Sequence, residues 1–337
     1  MSRPDAWTPP GGPLIRYRSF RNGDPPALAA LWNRSLPAVG VVAPLSAHEL
    51  DALVMGKLGF DPEGLIVAED DGRVVAFAHA GFGPAQPEGP THRPDTAMGT
   101  VAMLVVEPGR DDPELEHGLF EAAESYLKSR GTKVFYAGGS APMDPFYAGI
   151  YGGSEFAGVL DAHHAFARAA RLAGYEPCAT SILMEADMRR PEPRDPRLVM
   201  LRRQLELKVV EDALPAGWWR SLAVGYFRPS AYTLADRRDG QAVASASTWE
   251  VAAGASPGDG RSRTALVDVQ VEPSRRRRGY GRLLVDGVLR EARRQQADAV
   301  CVQVAATNLP AVGLYRRLGF EAVATSTLYR KPGGGSG

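Results

Sequence analysis

The sequence is short of cysteine, of long apolar runs and of net charge. Its 337 residues include two cysteines, Cys178 and Cys301. Two cysteines cannot build a disulfide framework, and their contexts indicate buried free thiols in a reducing compartment. Because no run of about 18 apolar residues occurs, we expect no membrane span. Lys and Arg number 39, as do Asp and Glu, so net charge favours neither nucleic acid nor a membrane surface. These absences predict a soluble, cytoplasmic protein.

The length of the chain favours two globular domains rather than one. The Pro- and charge-rich stretch 189–197 is predicted to be a linker between domains at 14–188 and 198–330. The Pro- and Gly-rich segment 1–13 lacks the apolar core of a signal peptide and is predicted to be a flexible arm. The Gly-rich end, 331–337, is predicted to be a flexible tail.

The two predicted domains repeat one order of elements. Each shows a strand, a helix, a hairpin, a strand, a helix, a strand, a helix and a final strand. Val106-Glu107-Pro108 matches Val271-Glu272-Pro273, and Gly174-Tyr175-Glu176 matches Gly319-Phe320-Glu321. The repetition indicates an internal duplication. The predicted fold class is α/β, with an α+β mixed sheet, mostly antiparallel and flanked by helices, in each copy.

A basic, glycine-containing turn is the feature most suggestive of chemistry. Four arginines, 275–278, are followed by Gly279 and Gly281, between a predicted strand and a predicted helix. Glycines let the backbone approach a ligand, the helix start offers unpaired N–H groups, and arginines bind phosphate oxygens. The spacing is neither a Walker A motif nor a GxGxxG motif. It predicts a pyrophosphate cradle; a solvated basic turn or a nucleic-acid-contacting patch are the alternatives.

Together with a second motif, this turn resembles the signatures of the GNAT superfamily of acetyl-CoA-dependent N-acetyltransferases. The first signature is an Arg/Gln-x-x-Gly-x-Gly/Ala loop after the fourth strand, and the second corresponds to the run from Asn308 to Phe320. The resemblance covers about 197–330 well and the first half only by element order. It implies two tandem GNAT-like acyl-CoA N-acyltransferase domains. The implied activity is acetyl transfer from acetyl-CoA to a primary amine.

The resemblance also implies roles for individual residues. The backbone of Val269 and Val271 would bind the pantetheine arm where two parallel strands splay apart. The turn would hold the pyrophosphate, and Asn308 would contact the cofactor arm. Tyr315 would lie near the sulfur and protonate the leaving thiolate. The implied cofactor-binding residues are Val269, Val271, Arg276, Arg277, Arg278, Gly279, Tyr280, Gly281 and Asn308.

The general base is less defined in the sequence. An ammonium group must lose a proton before it attacks, and the candidates are Glu250, after the third strand, and Asp268, on the fourth. Water could relay the proton instead. A backbone N–H near Val271 could stabilise the oxyanion. Alternation along the strand predicts that Asp268 and Gln270 share one face. The opposite face is predicted to carry Val267, Val269 and Val271.

The first copy differs from the second at these positions. Its loop reads Asp111-Asp112-Pro113-Glu114, and Gly281 is replaced by Glu116. An acidic turn repels phosphate, and Tyr315 aligns with Ala170. The first domain is therefore predicted to be a degenerate copy that neither binds CoA in the usual mode nor catalyses transfer.

The first copy also carries an insertion, residues 138–160, which contains Phe146, Tyr147, Tyr151 and Glu155. Its size and aromatic content suit a lid or a wall of the acceptor site, or else a loop packed on its own domain. The pair Trp218-Trp219 is predicted to pack in the core or between domains, with acceptor recognition as the alternative. The pair His163-His164 is predicted to be capping or surface residues rather than metal ligands.

The predicted partners are a small-molecule or peptide amine and acetyl-CoA as co-substrate, with no metal, nucleic acid or membrane. A monomer or a homodimer is expected. Protein N-termini, lysines, aminoglycosides, polyamines and amino acids all stay open as acceptors. The alternative function is a non-catalytic acyl-CoA-binding, sensing or scaffold protein.

Overall fold

A computed structural model describes residues 15–87, 89, 93–110, 112–144, 146–155, 158–190, 196–215, 217–251 and 261–333. These residues form one 13-stranded sheet with helices packed on its faces. The predicted mixed α/β fold class is confirmed. The predicted arm lies outside the described residues, as do residues 334–337 of the predicted tail. No helix in the described ranges is both long and apolar enough to cross a bilayer.

The elements follow the predicted order closely. The strands are β1 Arg16–Ser19, β2 Leu65–Asp70, β3 Arg73–Pro84, β4 Pro94–Val106, β5 Val134–Ala137, β6 Val159–Leu160, β7 Glu176–Asp187, β8 Leu205–Val210, β9 Ser230–Asp236, β10 Ala242–Val251, β11 Arg263–Val271, β12 Ala299–Ala305 and β13 Glu321–Arg330. The helices are α1 Pro25–Ser35, α2 Ala47–Leu50, α3 Pro113–Ser129, α4 His164–Leu172, α5 Pro196–Gln204, α6 Trp218–Val224, α7 Tyr280–Arg294 and α8 Leu309–Arg317.

Local sequence explains where several elements begin and turn. Asp112 caps α3 by accepting a hydrogen bond from the Leu115 N–H at 3.0 Å, and Pro113 opens the helix. The β2–β3 hairpin turns at Asp71 and Gly72, whose φ angles of 49° and 75° are those of a tight hairpin turn. Such turns are favoured by Asp-Gly because glycine adopts positive φ without strain.

Both halves contain the same local break in the sheet. The parallel pairing of β4 with β5 ends at Val101 and Ala137. The parallel pairing of β11 with β12 ends at Leu266 and Val302. These are equivalent positions in the register that superposes Val106 on Val271. The strands splay at the same residue in both copies, as expected for a duplicated domain.

The last strand of each half lies in the other half's part of the sheet. The strand order runs β5-β13-β7-β12, so β13 pairs with β5 and β7 pairs with β12. Neighbouring β7 and β13 pair antiparallel with each other. The division into 14–188 and 198–330 stays a prediction about the chain, but the two ranges exchange their final strands within the sheet.

The apolar core has one shared layer and two separate ones. On one face a single cluster joins Trp32 and Phe77 of the first half to Val224 and Trp249 of the second. On the other face, one cluster lies under α3 and α4 and another under α7 and α8. The shared layer also contains Phe146, from the first-half insertion. It therefore joins the two halves by burial of apolar surface.

Two predictions need correction. Cys178 is exposed and only Cys301 is buried, because Cys178 lies in the first part of β7, where the strand is exposed to solvent. His163 is the N-cap residue of α4, but its side chain makes no capping hydrogen bond and is buried, with Nδ1 3.0 Å from the Tyr151 hydroxyl, so it is not a surface residue. His164 is exposed, as predicted. The linker at 189–197 stays a prediction, because its residues 191–195 lie outside the described part; helix α5 begins at Pro196.

The strand exchange predicts that the second half is unstable without β7. A fragment of residues 189–333 leaves one edge of β12 unpaired, whereas a fragment of 176–333 retains that pairing. We expect the shorter fragment to aggregate and the longer one to be more soluble, with a higher melting temperature by circular dichroism. Equal solubility and equal melting temperatures would contradict the structural importance of the exchange.

Candidate active site

An opening between β11 and β12 is the centre of the candidate site. The two strands stop pairing after Leu266 and Val302, while β11 continues to pair with β10 as far as Val271. One edge of β11 beyond Leu266 therefore faces the opening rather than β12. Free backbone N–H and C=O groups on a strand edge can pair with an extended ligand. Val269 and Val271 lie on this segment, as predicted.

A bulge interrupts β11 within this segment. The register with β10 shifts between Ser245 and Ser247, and Asp268 has a φ angle of 53°. Val267 consequently packs in the shared layer, whereas Val269 and Val271 pack on the opposite face against the cluster under α7. The prediction that these three valines share one face is wrong, because a bulge adds a residue and reverses the alternation.

The basic turn leads directly into α7. Arg277 and Gly279 have φ angles of 61° and 86°, and Gly279 is the N-cap residue. A glycine supplies no capping side chain, so the first N–H groups of the helix are not capped by that residue. Arg276, Arg277 and Arg278 are exposed. Exposed arginines around an uncapped helix N-terminus suit a group that carries phosphates.

Close packing around Gly279 and Gly281 explains why the turn needs small side chains at these two positions. A Cβ atom at Gly281 would lie 3.3 Å from Cγ2 of Val271, so the first turn of α7 packs closely on β11. A Cβ atom at Gly279 would lie 3.1 Å from Cδ1 of Leu201. The side chain of Tyr280 is buried in the core under α7, which leaves its backbone as the part that can face a ligand.

Helix α8, which carries Asn308 at its start and Tyr315 near its end, packs beside the first turn of α7, since a Cβ atom at Gly281 would lie 3.7 Å from Cδ2 of Leu314. Asn308 caps the helix: its Oδ1 accepts a hydrogen bond from the Ala311 N–H at 3.3 Å. Tyr315 is buried, with its ring centroid 5.4 Å from that of Phe320. Burial, and to a lesser extent the nearby carboxylate of Glu155, raise the pKa of Tyr315 to about 12. The hydroxyl therefore keeps its proton at neutral pH.

Glu155 is a candidate site residue to which the sequence assigned no catalytic role. It belongs to the first-half insertion, yet its carboxylate accepts a hydrogen bond from the Asp268 N–H at the bulge of β11. Desolvation, reinforced by the negative charge of Asp268 and opposed by Arg220, raises the pKa of Glu155 to about 7. The side chain is half-buried. A carboxyl group with this pKa can exchange a proton at neutral pH.

The two acids predicted as bases occupy different surroundings. Asp268 forms an ion pair with Arg220 of α6, and both side chains are partly exposed. Glu250 is exposed on β10, opposite Thr264. Its neighbours Trp249 and Val251 point into the shared layer, so alternation directs Glu250 to the other face of the sheet. The structure thus brings Asp268, but not Glu250, next to Glu155.

The insertion is held against both halves. Phe146, Tyr147 and Tyr151 are buried, so these aromatics pack inside the protein rather than form a mobile lid. The buried Lys57 Nζ donates to the carbonyl of Phe146 at 3.0 Å and to the carbonyl of Ala223, in α6, at 3.2 Å. This lysine links the insertion that carries Glu155 to the helix that carries Arg220.

The predicted tryptophan pair also lies between the halves. Trp219 is buried, and Trp218 Nε1 donates to the carbonyl of Gln86 at 3.3 Å. Gln86 follows β3 of the first half. The position agrees with interdomain packing for this pair.

The corresponding turn of the first copy is filled by its own side chains. Asp112 caps α3 there, whereas Gly279 at the start of α7 does not. Glu116, at the position of Gly281, is buried and accepts two hydrogen bonds from Arg168, at 2.7 and 2.6 Å. An anionic ligand would have to displace both interactions, which agrees with the predicted loss of phosphate binding.

Comparison with known proteins finds a family match within the second half of the chain. The family model described as "Acetyltransferase (GNAT) family" matches residues 201–320. A mycothiol acetyltransferase from Saccharomonospora viridis is 30% identical over 128 residues, which are 37% of this chain and 39% of that protein. The match thus spans well under half of the relative.

Solved structures resemble the whole chain in fold. A GCN5-related N-acetyltransferase from Sphaerobacter thermophilus has a TM-score of 0.64 at 18% identity, covering 94% of this chain and 95% of that one. A tandem GNAT protein from the clavulanic acid biosynthesis pathway has a TM-score of 0.63 at 18% identity, covering 94% and 98%. At this identity the likeness shows a shared two-copy fold and nothing about substrates.

The surroundings of Glu155 predict how its pKa responds to substitution. Replacing Arg220 by Met removes the opposing cation and should raise the pKa further above about 7, whereas Asp268→Asn removes a repelling anion and should lower it. Titration of the carboxyl group by carbon-detected NMR measures both shifts. Arg228→Met, which breaks an exposed pair with Asp212, is the matched control and should change nothing. Unchanged values in the first two variants would contradict the described contacts.

Proposed function

We propose, given that the segment 201–320 belongs to the GNAT acetyltransferase family, that the chain transfers an acetyl group from acetyl-CoA to a primary amine. The reaction would take place in the opening between β11 and β12. The observation that carries the proposal is the presence there of two groups suited to proton transfer. Glu155 and Tyr315 interact electrostatically, and Glu155 contacts Asp268 of β11, the strand that leads into the basic turn suited to phosphates.

The binding part of the proposal assigns the pyrophosphate of acetyl-CoA to residues 276–281 and its pantetheine arm to the free edge of β11 at Val269 and Val271. Asn308, at the start of α8, would contact the arm. The described residues fit this ligand, because the turn offers exposed arginines and an uncapped helix start. When bound, acetyl-CoA supplies the thioester that makes the acetyl carbon electrophilic.

The catalytic part assigns the general base to Glu155. An amine pKa near 10.4 and a base pKa of about 7 make proton removal uphill by about 5 kcal/mol. Proton transfer from Tyr315, with a pKa of about 12, to a thiolate near 8.5 costs a similar amount. Each cost is well below the barrier of about 16 kcal/mol that corresponds to about ten turnovers per second.

The protonation state of Glu155 affects the acidity of Tyr315. The carboxylate of Glu155 contributes to the raised pKa of Tyr315, so uptake of the amine proton by Glu155 removes that contribution. Tyr315 then becomes a better acid at the stage at which the thiolate leaves. Asp268, paired with Arg220, would hold Glu155 in place through its backbone N–H. Glu155 is therefore favoured over the sequence-predicted bases Asp268 and Glu250.

Substitution of the two groups tests catalysis separately from binding. Tyr315→Phe and Glu155→Gln should each lower kcat by about 100-fold or more, since positioned acids and bases contribute that much. The affinity for CoA, measured by calorimetry, should change little. Tyr136→Phe and Glu121→Gln, both in the first half, are matched controls. A protein that only senses acyl-CoA would bind it but show no turnover in any variant.

The pH dependence distinguishes Glu155 from other bases. Because the base acts when deprotonated and its pKa is raised to about 7, kcat/KM for the amine should fall as the pH drops below about 7. In Glu155→Gln this decrease in kcat/KM below about pH 7 should be absent. If the decrease persists in Glu155→Gln, the general base is another group.

A further inference from the structure

A cavity of 670 Å³ lies over the shared face of the sheet, between the two halves. Its floor includes Leu183 of β7, Val251 of β10 and Cys301 of β12. Its roof is the first-half loop 36–43, together with Gly149 and Gly153 of the insertion. The volume is typical of sites that enclose a small molecule. Neither half could form this cavity alone.

The cavity approaches the candidate active site from the acceptor side. Gly153, in its roof, precedes Glu155 by two residues, and Cys301, in its floor, immediately precedes Val302, the last residue of β12 that pairs with β11. One residue of strand spans about 3.3 Å. A molecule whose amine reaches Glu155 would therefore extend its body along the floor into the cavity.

The walls are chiefly apolar and nearly balanced in charge. Leu36, Val41, Val42 and Leu183 contribute aliphatic surface. Burial raises the pKa of the Cys301 thiol to about 12, so this group is neutral.

The charged residues at the end of the cavity away from Glu155 form ion pairs. The Nε of Arg263 donates to the Glu185 carboxylate at 2.9 Å, and Arg261 lies 3.8 Å from that of Asp187. The lining itself includes two cations and one anion, Arg261, Arg263 and Glu185, and the second cation is offset by Asp187, which lies outside the lining. These four charges together give little net field to select a charged ligand.

The roof is fixed rather than loose. The Val42 N–H donates to the carbonyl of Ile150 at 2.9 Å, and the Gly152 N–H donates to the carbonyl of Gly40 at 2.6 Å. Val41 and Tyr151 form an antiparallel bridge. The loop and the insertion thus support each other, and the cavity exists before any acceptor binds. A preformed apolar cavity selects ligands by shape and apolar area.

We propose that this cavity binds the body of the acceptor, and that the acceptor is a small primary amine with an uncharged, apolar alkyl or aryl body. This inference rests on the proposed acetyl transfer and narrows its substrate. Polyamines and aminoglycosides would place extra ammonium groups against aliphatic walls, at a large desolvation cost. A lysine on a folded protein would leave most of the cavity unfilled.

A panel of amines with acetyl-CoA tests the substrate class. We expect kcat/KM to rise at least tenfold from propylamine to hexylamine and 2-phenylethylamine, because each buried methylene adds apolar contact. Putrescine, glucosamine and a lysine-containing peptide should be at least tenfold poorer than hexylamine. A peptide or a polycation as the best acceptor would overturn the inference while leaving the acetyl transfer intact. No thiol release with any amine, and no CoA binding, would instead contradict the proposed function.

Substitutions that fill the cavity test its location. Leu36→Trp and Val323→Trp place a large side chain in the cavity from different walls. Each should lower kcat/KM for hexylamine at least tenfold, with a smaller loss for propylamine. Calorimetric affinity for CoA should stay within twofold. Leu172→Trp, at an exposed position on α4, is the matched control. Equal losses for both amines, or no loss in either variant, would overturn the assignment of the cavity.

Discussion

The exchange of final strands between the two halves is the constraint on which the site depends. With β7 beside β12 and β13 beside β5, both copies share one sheet and one apolar layer on one of its faces. The first-half insertion is consequently held over the opening of the second half, where Glu155 meets the bulge at Asp268. The buried Lys57 strengthens the same junction by donating to carbonyl groups from the insertion and from α6. Two independent domains on a flexible linker could not fix a carboxylate in this way.

In the proposed mechanism the first copy has diverged in role rather than become inert. Its turn that corresponds to the basic turn of the second copy is filled by the Asp112 cap and by the buried pair of Glu116 with Arg168. In the proposed mechanism it nevertheless supplies the general base, Glu155, and the roof of the acceptor cavity. The second copy retains the uncapped helix start and Tyr315. Division of labour between copies explains why one can lose a ligand site while the protein keeps both.

The local sequence predicts the local structure of this protein, but it does not predict contacts between residues that are distant in sequence. The order of elements, the turn before Gly279 and the equivalence of Val106 with Val271 follow from periodicity and spacing. The bulge at Asp268 does not, because apolar clusters cover both faces of the sheet there, so valines continue at alternate positions although the bulge moves them to the opposite face. Glu155 could be placed only in an aromatic insertion, since its partners lie in the other half of the chain. The strand exchange could not be predicted from either half, because the sequences of β7 and β13 each indicate only a final strand and do not indicate its neighbour in the sheet.

The central claim is that the second copy holds acetyl-CoA while the first supplies the base. A crystal structure with desulfo-coenzyme A, which cannot carry an acetyl group, tests it most directly. We predict one bound molecule, with phosphates at residues 276–281 and its pantetheine end between Tyr315 and Glu155. A molecule bound instead between β4 and β5, near Glu116, would contradict the assignment of roles to the two copies.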